Sequence, residues 1–76
     1  MVYIKFVGPF SKLMPSTTEN GYFASDSGGK SISSCLSSFD FGNITYVILV
    51  NNMREDKDYI LQDGDKLLVM PTLAGG

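Results

Sequence analysis

Apolar residues recur at every second position at the start of the chain, where Val2, Ile4 and Phe6 alternate with Tyr3, Lys5 and Val7. A period of two puts the first three on one wholly apolar face of a β-strand and the others on a mixed face that tolerates water. Gly8-Pro9 ends that strand, because proline brings no donor to a ladder. Phe10, Leu13 and Met14 follow in a loop or short turn and are expected to close one end of the core. Asn20-Gly21 is a turn signal, and Tyr22-Phe23-Ala24 reads as a short strand returning onto the first as a hairpin.

The period then changes. Ile32, Cys35, Leu36 and Phe39 stand at i, i+3, i+4 and i+7, which predicts one stripe of an amphipathic helix over 32–39, beginning at Ser31 or Gly29. Serines occupy its other side, and serine is a mediocre helix former, so this helix depends on docking its stripe. Gly42 suits a left-handed cap after it. Residues 46–50 are almost continuously apolar, as in a strand covered by neighbours. Asn51-Asn52 turns the chain, Met53-Arg54 is a brief return, residues 55–58 are a solvated charged stretch, and Tyr59-Ile60-Leu61 re-enters the core. Asp63-Gly64-Asp65 is a tight turn before the last strand, 66–70, which Pro71 closes. Strand, strand, helix, strand, short return and strand make an α+β domain in which one main helix covers one face of a mixed sheet of four to five strands.

Composition narrows what such a domain does. A chain of 76 residues, 43% hydrophobic and 18% charged, makes one small domain. A domain of this size hides only about 60% of the surface its unfolded chain exposes, so it needs a staple or an economical core. Staples are not expected. Cys35 is the single cysteine and there is no histidine, which excludes an intrachain disulfide and argues against structural zinc. A four-cysteine iron–sulfur cluster is excluded likewise. On its apolar stripe Cys35 reads as a small core hydrophobe, and Asp63 and Asp65 read as turn formers with no third ligand for a metal. Without histidine the chain lacks the nucleophile and base pairs of hydrolases and transferases, so it is not expected to be an enzyme. Six lysines and arginines spread singly, with a pI near 4.7, argue against nucleic acid and anionic membranes. No apolar run reaches the roughly 18 to 20 residues of a spanning helix and no signal-peptide pattern opens the chain. The expected location is the cytoplasm, with which an unpaired Cys35 agrees.

Local folding does not require the pair Gly75-Gly76. At about 7% glycine usage, two glycines at a fixed place occur by chance in roughly 0.5% of chains. They supply a tail without side chains, able to pass a narrow channel. Taken together, Asp63-Gly64-Asp65-Lys66-Leu67-Leu68-Val69-Met70-Pro71-Thr72-Leu73-Ala74-Gly75-Gly76 resembles the C-terminal signature of the ubiquitin-like sulfur carriers, a family that includes the small subunit of molybdopterin synthase and the thiamine-pathway carrier. More weakly, the strand at 2–7, the helix at 32–39 and the apolar segment at 47–52 fall where that family's β-grasp fold would have them, whereas residues 15–30 match nothing in it.

The resemblance implies a β-grasp domain at 1–71 and a flexible Gly-Gly tail at 72–76. It implies a partner of the ubiquitin-activating type, an adenylyltransferase that uses ATP and magnesium to make an acyl-adenylate at the Gly76 carboxylate, beside Gly75. Sulfur then displaces AMP, and the thiocarboxylate is carried into a second enzyme. The carrier binds no cofactor of its own and is expected to be a monomer when alone. By analogy with the fold, Leu67 and Val69 lie inside and Leu68 and Met70 are exposed, so that Leu68, Met70, Pro71, Leu73 and Ala74 form a docking patch leading to the reactive end. Pro71, Leu73 and Ala74 look most like the molybdopterin branch, which makes the large subunit of molybdopterin synthase the expected acceptor; Thr72 stands where that branch commonly has a second proline. Carriers for thiamine, tungsten-cofactor, amino-acid or tRNA sulfur pathways, and a ubiquitin-like protein modifier, would use the same tail. A binding module with an incidental Gly-Gly is the remaining alternative.

Overall fold

A computed structural model of the chain describes residues 1–15 and 21–72. The opening alternation forms β1 (Val2–Phe6), and the return strand is β2 (Phe23–Ser25). The apolar stripe begins α1 (Ile32–Leu36), and the continuous apolar run is β3 (Tyr46–Val50). A two-residue turn leads into β4 (Met53–Glu55), and β5 (Lys66–Pro71) is the last strand. All five strands join one mixed sheet in the order β2-β1-β5-β3-β4. Its central pair, β1 and β5, is parallel, and the other three pairs are antiparallel. Parallel neighbours cannot be joined by a hairpin, so the connection between β1 and β5 carries every other element. The fold is α+β, with five strands and few helical residues.

Period-two patterning sets the core. Val2, Ile4 and Phe6 of β1, Leu67 and Val69 of β5, Ile48 and Val50 of β3 and Phe23 of β2 turn to one side of the sheet, where Ile32, Leu36, Phe10 and Leu61 close over them. Burying a side chain of this class contributes about 1.5–3 kcal/mol. At one end the rings interlock. Phe6 meets Phe23, Phe39 and Phe41 edge-to-face at centroid distances of 5.5, 5.0 and 5.3 Å, and Phe10 meets Phe41 at 4.9 Å. The favoured geometry of aromatic pairs adds to their area burial.

The short helix has all its early donors satisfied. Ser31 is its N-cap and accepts from the Ser34 N–H through Oγ at 3.1 Å. Ile32 N–H donates to the Tyr59 carbonyl and Ser33 N–H to the Lys57 carbonyl, each at 3.0 Å, so the segment after β4 serves as a backbone cap. Ser31 also bridges Ile60, and Leu61 N–H donates to the Lys30 carbonyl at 2.8 Å. Tyr59 is half-buried against the core, and burial, followed by the charges of Asp65 and Glu55, pushes its hydroxyl above the ordinary tyrosine pKa.

Several expectations are corrected. The helix predicted over 32–39 ends at Leu36, because Ser37 turns back to the Ser34 carbonyl with both its N–H and its hydroxyl. Phe39 still packs on the core, from a turn. Gly42 does have a positive φ of 66°, yet it does not cap the helix; its N–H closes an Asx turn on the Asp40 carboxylate at 2.9 Å. The segment after Pro9 is a 3-10 helix, Gly8–Leu13, rather than a loop or short turn. It places Phe10 in the core with Leu13 and Met14 against it. Cys35 is half-buried at the edge of the core rather than fully within it. Of the re-entering trio only Leu61 is fully buried, and Ile60 is 53% exposed. No helix among the described residues is long and apolar enough to cross a membrane.

Candidate functional site

The end of β5 is the part of the described chain that leads to Gly75-Gly76. Pro71 stands opposite Tyr46 in the ladder with β3. In this ladder alternate pairs exchange hydrogen bonds, and Tyr46 is at a position whose N–H and C=O point away from β5, so the proline's missing donor removes no bond there. Thr72 then donates its N–H to the Thr45 carbonyl at 3.0 Å, and the Thr45 and Thr72 hydroxyls lie 2.7 Å apart. The chain is held up to Thr72 by main-chain and side-chain bonds together.

Gly8 supports the same point from the other side. Its φ is +65°, a conformation L side chains rarely adopt, and a Cβ there would lie 3.2 Å from Pro71 Cγ. Val7 N–H donates to the Val69 carbonyl at 3.1 Å, so the chain leaving β1 stays against β5 until the turn at Gly8. Gly8-Pro9 reads in the sequence as strand punctuation, but its contact with Pro71 depends on the parallel pairing of the first and last strands, which no local signal encodes.

Of the residues expected to form a docking patch, the structure describes Leu68, Met70 and Pro71; Leu73 and Ala74, like the expected reactive end Gly75-Gly76, lie outside the described residues. Leu67 and Val69 are fully buried, as expected. Leu68 and Met70 are half-buried rather than exposed. β5 is a central strand, and the register sets Lys5 and Leu49 on either side of Leu68 and Val47 beside Met70, so their flanks are covered and their tips are not. Thr45 and Tyr46 also line a groove of about 600 Å³ between the start of β3 and the end of β4, bounded opposite by Arg54 and Glu55, and no β5 residue lines it.

The Asp63-Gly64-Asp65 turn is fully committed to structure. The Asp63 carboxylate pairs with the N-terminal ammonium of Met1, and Gly64 N–H donates to the Met1 carbonyl at 2.7 Å. Asp65, 8% exposed, accepts from the Gln62 N–H at 2.8 Å and from the Asn51 side-chain amide at 2.9 Å. Asn51 returns the bond through its side-chain oxygen, which accepts from Lys66 N–H at 3.0 Å. Both aspartates therefore act as turn formers. Compared with protein-family models, with curated proteins and with solved structures, the chain matches none of them.

Proposed function

We propose that this chain is a β-grasp sulfur carrier whose Gly76 carboxylate is adenylated and converted to a thiocarboxylate. The observation that carries the reading is the place of β5: the strand at the centre of the sheet ends at Pro71, and Leu73-Ala74-Gly75-Gly76 follow within a few residues of that fixed point. Further support comes from the strand order β2-β1-β5-β3-β4 with its parallel central pair, which is the arrangement of a β-grasp sheet. α1 is short for that fold, and Phe39 and Phe41, partly buried, pack against the core beyond it.

The chemistry asks little of the chain's side chains. A carboxylate is a poor acyl donor, and a ubiquitin-activating-type adenylyltransferase supplies the activation: the Gly76 oxygen attacks the α-phosphorus of ATP, pyrophosphate leaves, and an acyl-adenylate remains. A sulfur nucleophile then attacks the acyl carbon and AMP departs. The carrier's part is to present a fixed body to each enzyme while a tail without side chains reaches the active site. Pro71, Leu73 and Ala74 favour molybdopterin synthesis and the large subunit of its synthase as acceptor.

Incubation with ATP, magnesium, the adenylyltransferase encoded in the same genome and a sulfur source should raise the intact mass by the difference between sulfur and oxygen. Deletion of Gly76 should abolish the gain. Unchanged mass with each such adenylyltransferase, or equal loading after the deletion, would sink the reading; intact-size conjugates with other proteins would instead favour a modifier.

A further inference from the structure

β4 covers only three of the five residues of β3, since Glu55, its last, stands opposite Ile48. Each step back along β3 is a step forward on its antiparallel neighbour, so the position facing Tyr46 would be residue 57. That residue is turned elsewhere. The Lys57 carbonyl accepts from Ser33 N–H, and Asp58 N–H turns back to the Asp56 carboxylate at 2.9 Å as the chain leaves the sheet to cap α1. The N–H and C=O of Tyr46 point away from β5, toward the line that β4 would have followed, and no described residue partners them. Ile44, two residues earlier and 42% exposed, has an N–H and C=O equally unpartnered among the described residues. The groove of about 600 Å³ runs along this uncovered stretch.

Unmade main-chain bonds at a strand edge are a template for another strand. An extended polypeptide offers donors and acceptors at the matching spacing, which a nucleic acid or a lipid surface does not. An added strand would alternate its side chains between the two faces of the sheet. On the core side, beside Tyr46 and Ile48, lies a cavity of about 260 Å³ lined also by Ile32, Leu36, Phe39 and Phe41, which suits one apolar side chain. On the outer side the charge is positive. Arg54 pairs with Leu49 on the face that also holds Lys5 and Lys66, whereas Glu55 pairs with the core residue Ile48 and belongs to the other face. Arg54 has no ion pair among the described residues. A second copy fits this edge poorly, because its own β4 would bring another Arg54 beside the first and β2, Phe23-Ala24-Ser25, carries no carboxylate.

We propose that the open edge of β3 is a strand-addition site, on which a partner protein lays an extended segment of about four residues along Tyr46 and Ile44. Its core-side residues are apolar and enter the cavity; its outward residues are acidic and meet Arg54. This goes beyond the sulfur-carrier reading and does not depend on it.

The probe is a capped seven-residue peptide in which aspartate alternates with isoleucine, titrated into the full chain and followed by amide NMR. Hydrogen exchange at Tyr46 and Ile44 should be fast in the free protein and slow at least tenfold at saturation, while Val47, whose N–H faces β5, should change little. N-methylation at alternate peptide nitrogens should weaken binding at least tenfold in one of its two phases. Lysine in place of aspartate should weaken it at least tenfold and Arg54→Glu at least threefold, both differences shrinking as salt is added. Arg54→Gln replaces the reversal if circular dichroism finds it unfolded, with a shift in the same direction, and Lys12→Glu should stay within twofold. No binding at millimolar peptide, protection at β2 instead, or indifference to N-methylation in both phases overturns the proposal. So does slow exchange at Tyr46 before peptide is added, which would mean that the edge is already filled, by a second copy if the protection rises with protein concentration.

Discussion

Gly8 and Pro71 are 63 positions apart in sequence, and the absence of one carbon lets them touch. Replacing Gly8 by alanine imposes two costs. An L residue at φ +65° is disfavoured by about 1–2 kcal/mol, and the new Cβ crowds Pro71 Cγ at 3.2 Å. Gly42 separates the two effects, since its φ is +66° and nothing lies within 4 Å of where its Cβ would be. Gly42→Ala should therefore lower stability by about 1–2 kcal/mol, and Gly8→Ala by about 1 kcal/mol more. Urea unfolding followed by tyrosine fluorescence reads both. Adding Pro71→Ala to Gly8→Ala should narrow the gap between the two glycine sites, and equal costs at Gly8 and Gly42 would show that the Pro71 contact carries no strain.

The β3–β4 turn shows how far an element is legible and where legibility stops. Asn51 and Asn52 have φ of 51° and 70°, the paired positive values of a tight hairpin turn, and an Asn-Asn pair between apolar runs announces this in the sequence. The sequence does not announce that Asn51 also clamps the start of β5, because its partners Asp65 and Lys66 become neighbours only through the β3–β5 register. The two asparagines should thus respond differently. Asn52→Gly relieves a positive φ and should be neutral or slightly stabilising. Asn51→Ala loses both clamp bonds, leaves the mostly buried Asp65 carboxylate short of a donor, and should lower stability by about 2–4 kcal/mol, or about 10–20 °C in Tm. Equal Tm values for the two variants would refute the clamp. The helix gives the same lesson in reverse. The stripe Ile32, Cys35, Leu36 and Phe39 identifies residues that meet the core, but periodicity reports burial and not the backbone that delivers it, so Phe39 arrives by a turn. That Lys5, Arg54 and Lys66 share the face of the sheet away from the core is hidden for a related reason. Lys5, Arg54 and Lys66 look scattered along the chain, and only strand order brings them together.

At the scale of the whole molecule, β5 serves two faces at once. Its inner residues Leu67 and Val69 are fully buried between β1 and β3, and its outer residues Leu68 and Met70 are half-buried on the opposite face of the sheet. A domain of this length has a total stability of about 4–11 kcal/mol, and a buried leucine cut to alanine costs about 2–5 kcal/mol. Leu67→Ala should accordingly remove a large part of that stability. Because β5 joins the first strand to the β3–β4 hairpin, the loss should appear as one transition that coincides by far-ultraviolet circular dichroism and by tyrosine fluorescence. Leu68→Ala, one residue along and on the other face, gives up only part of a half-exposed side chain and should cost about 1 kcal/mol or less. If the expected docking patch includes Leu68, its effect should fall on partner engagement, as a raised KM for this protein in ATP–pyrophosphate exchange by the adenylyltransferase, with the unfolding curve little moved. Two adjacent leucines would then report separately on folding and on docking. A comparable loss of stability for both would mean that the outer face is a second packed surface of the domain, and that the division of β5 between core and interface is mistaken.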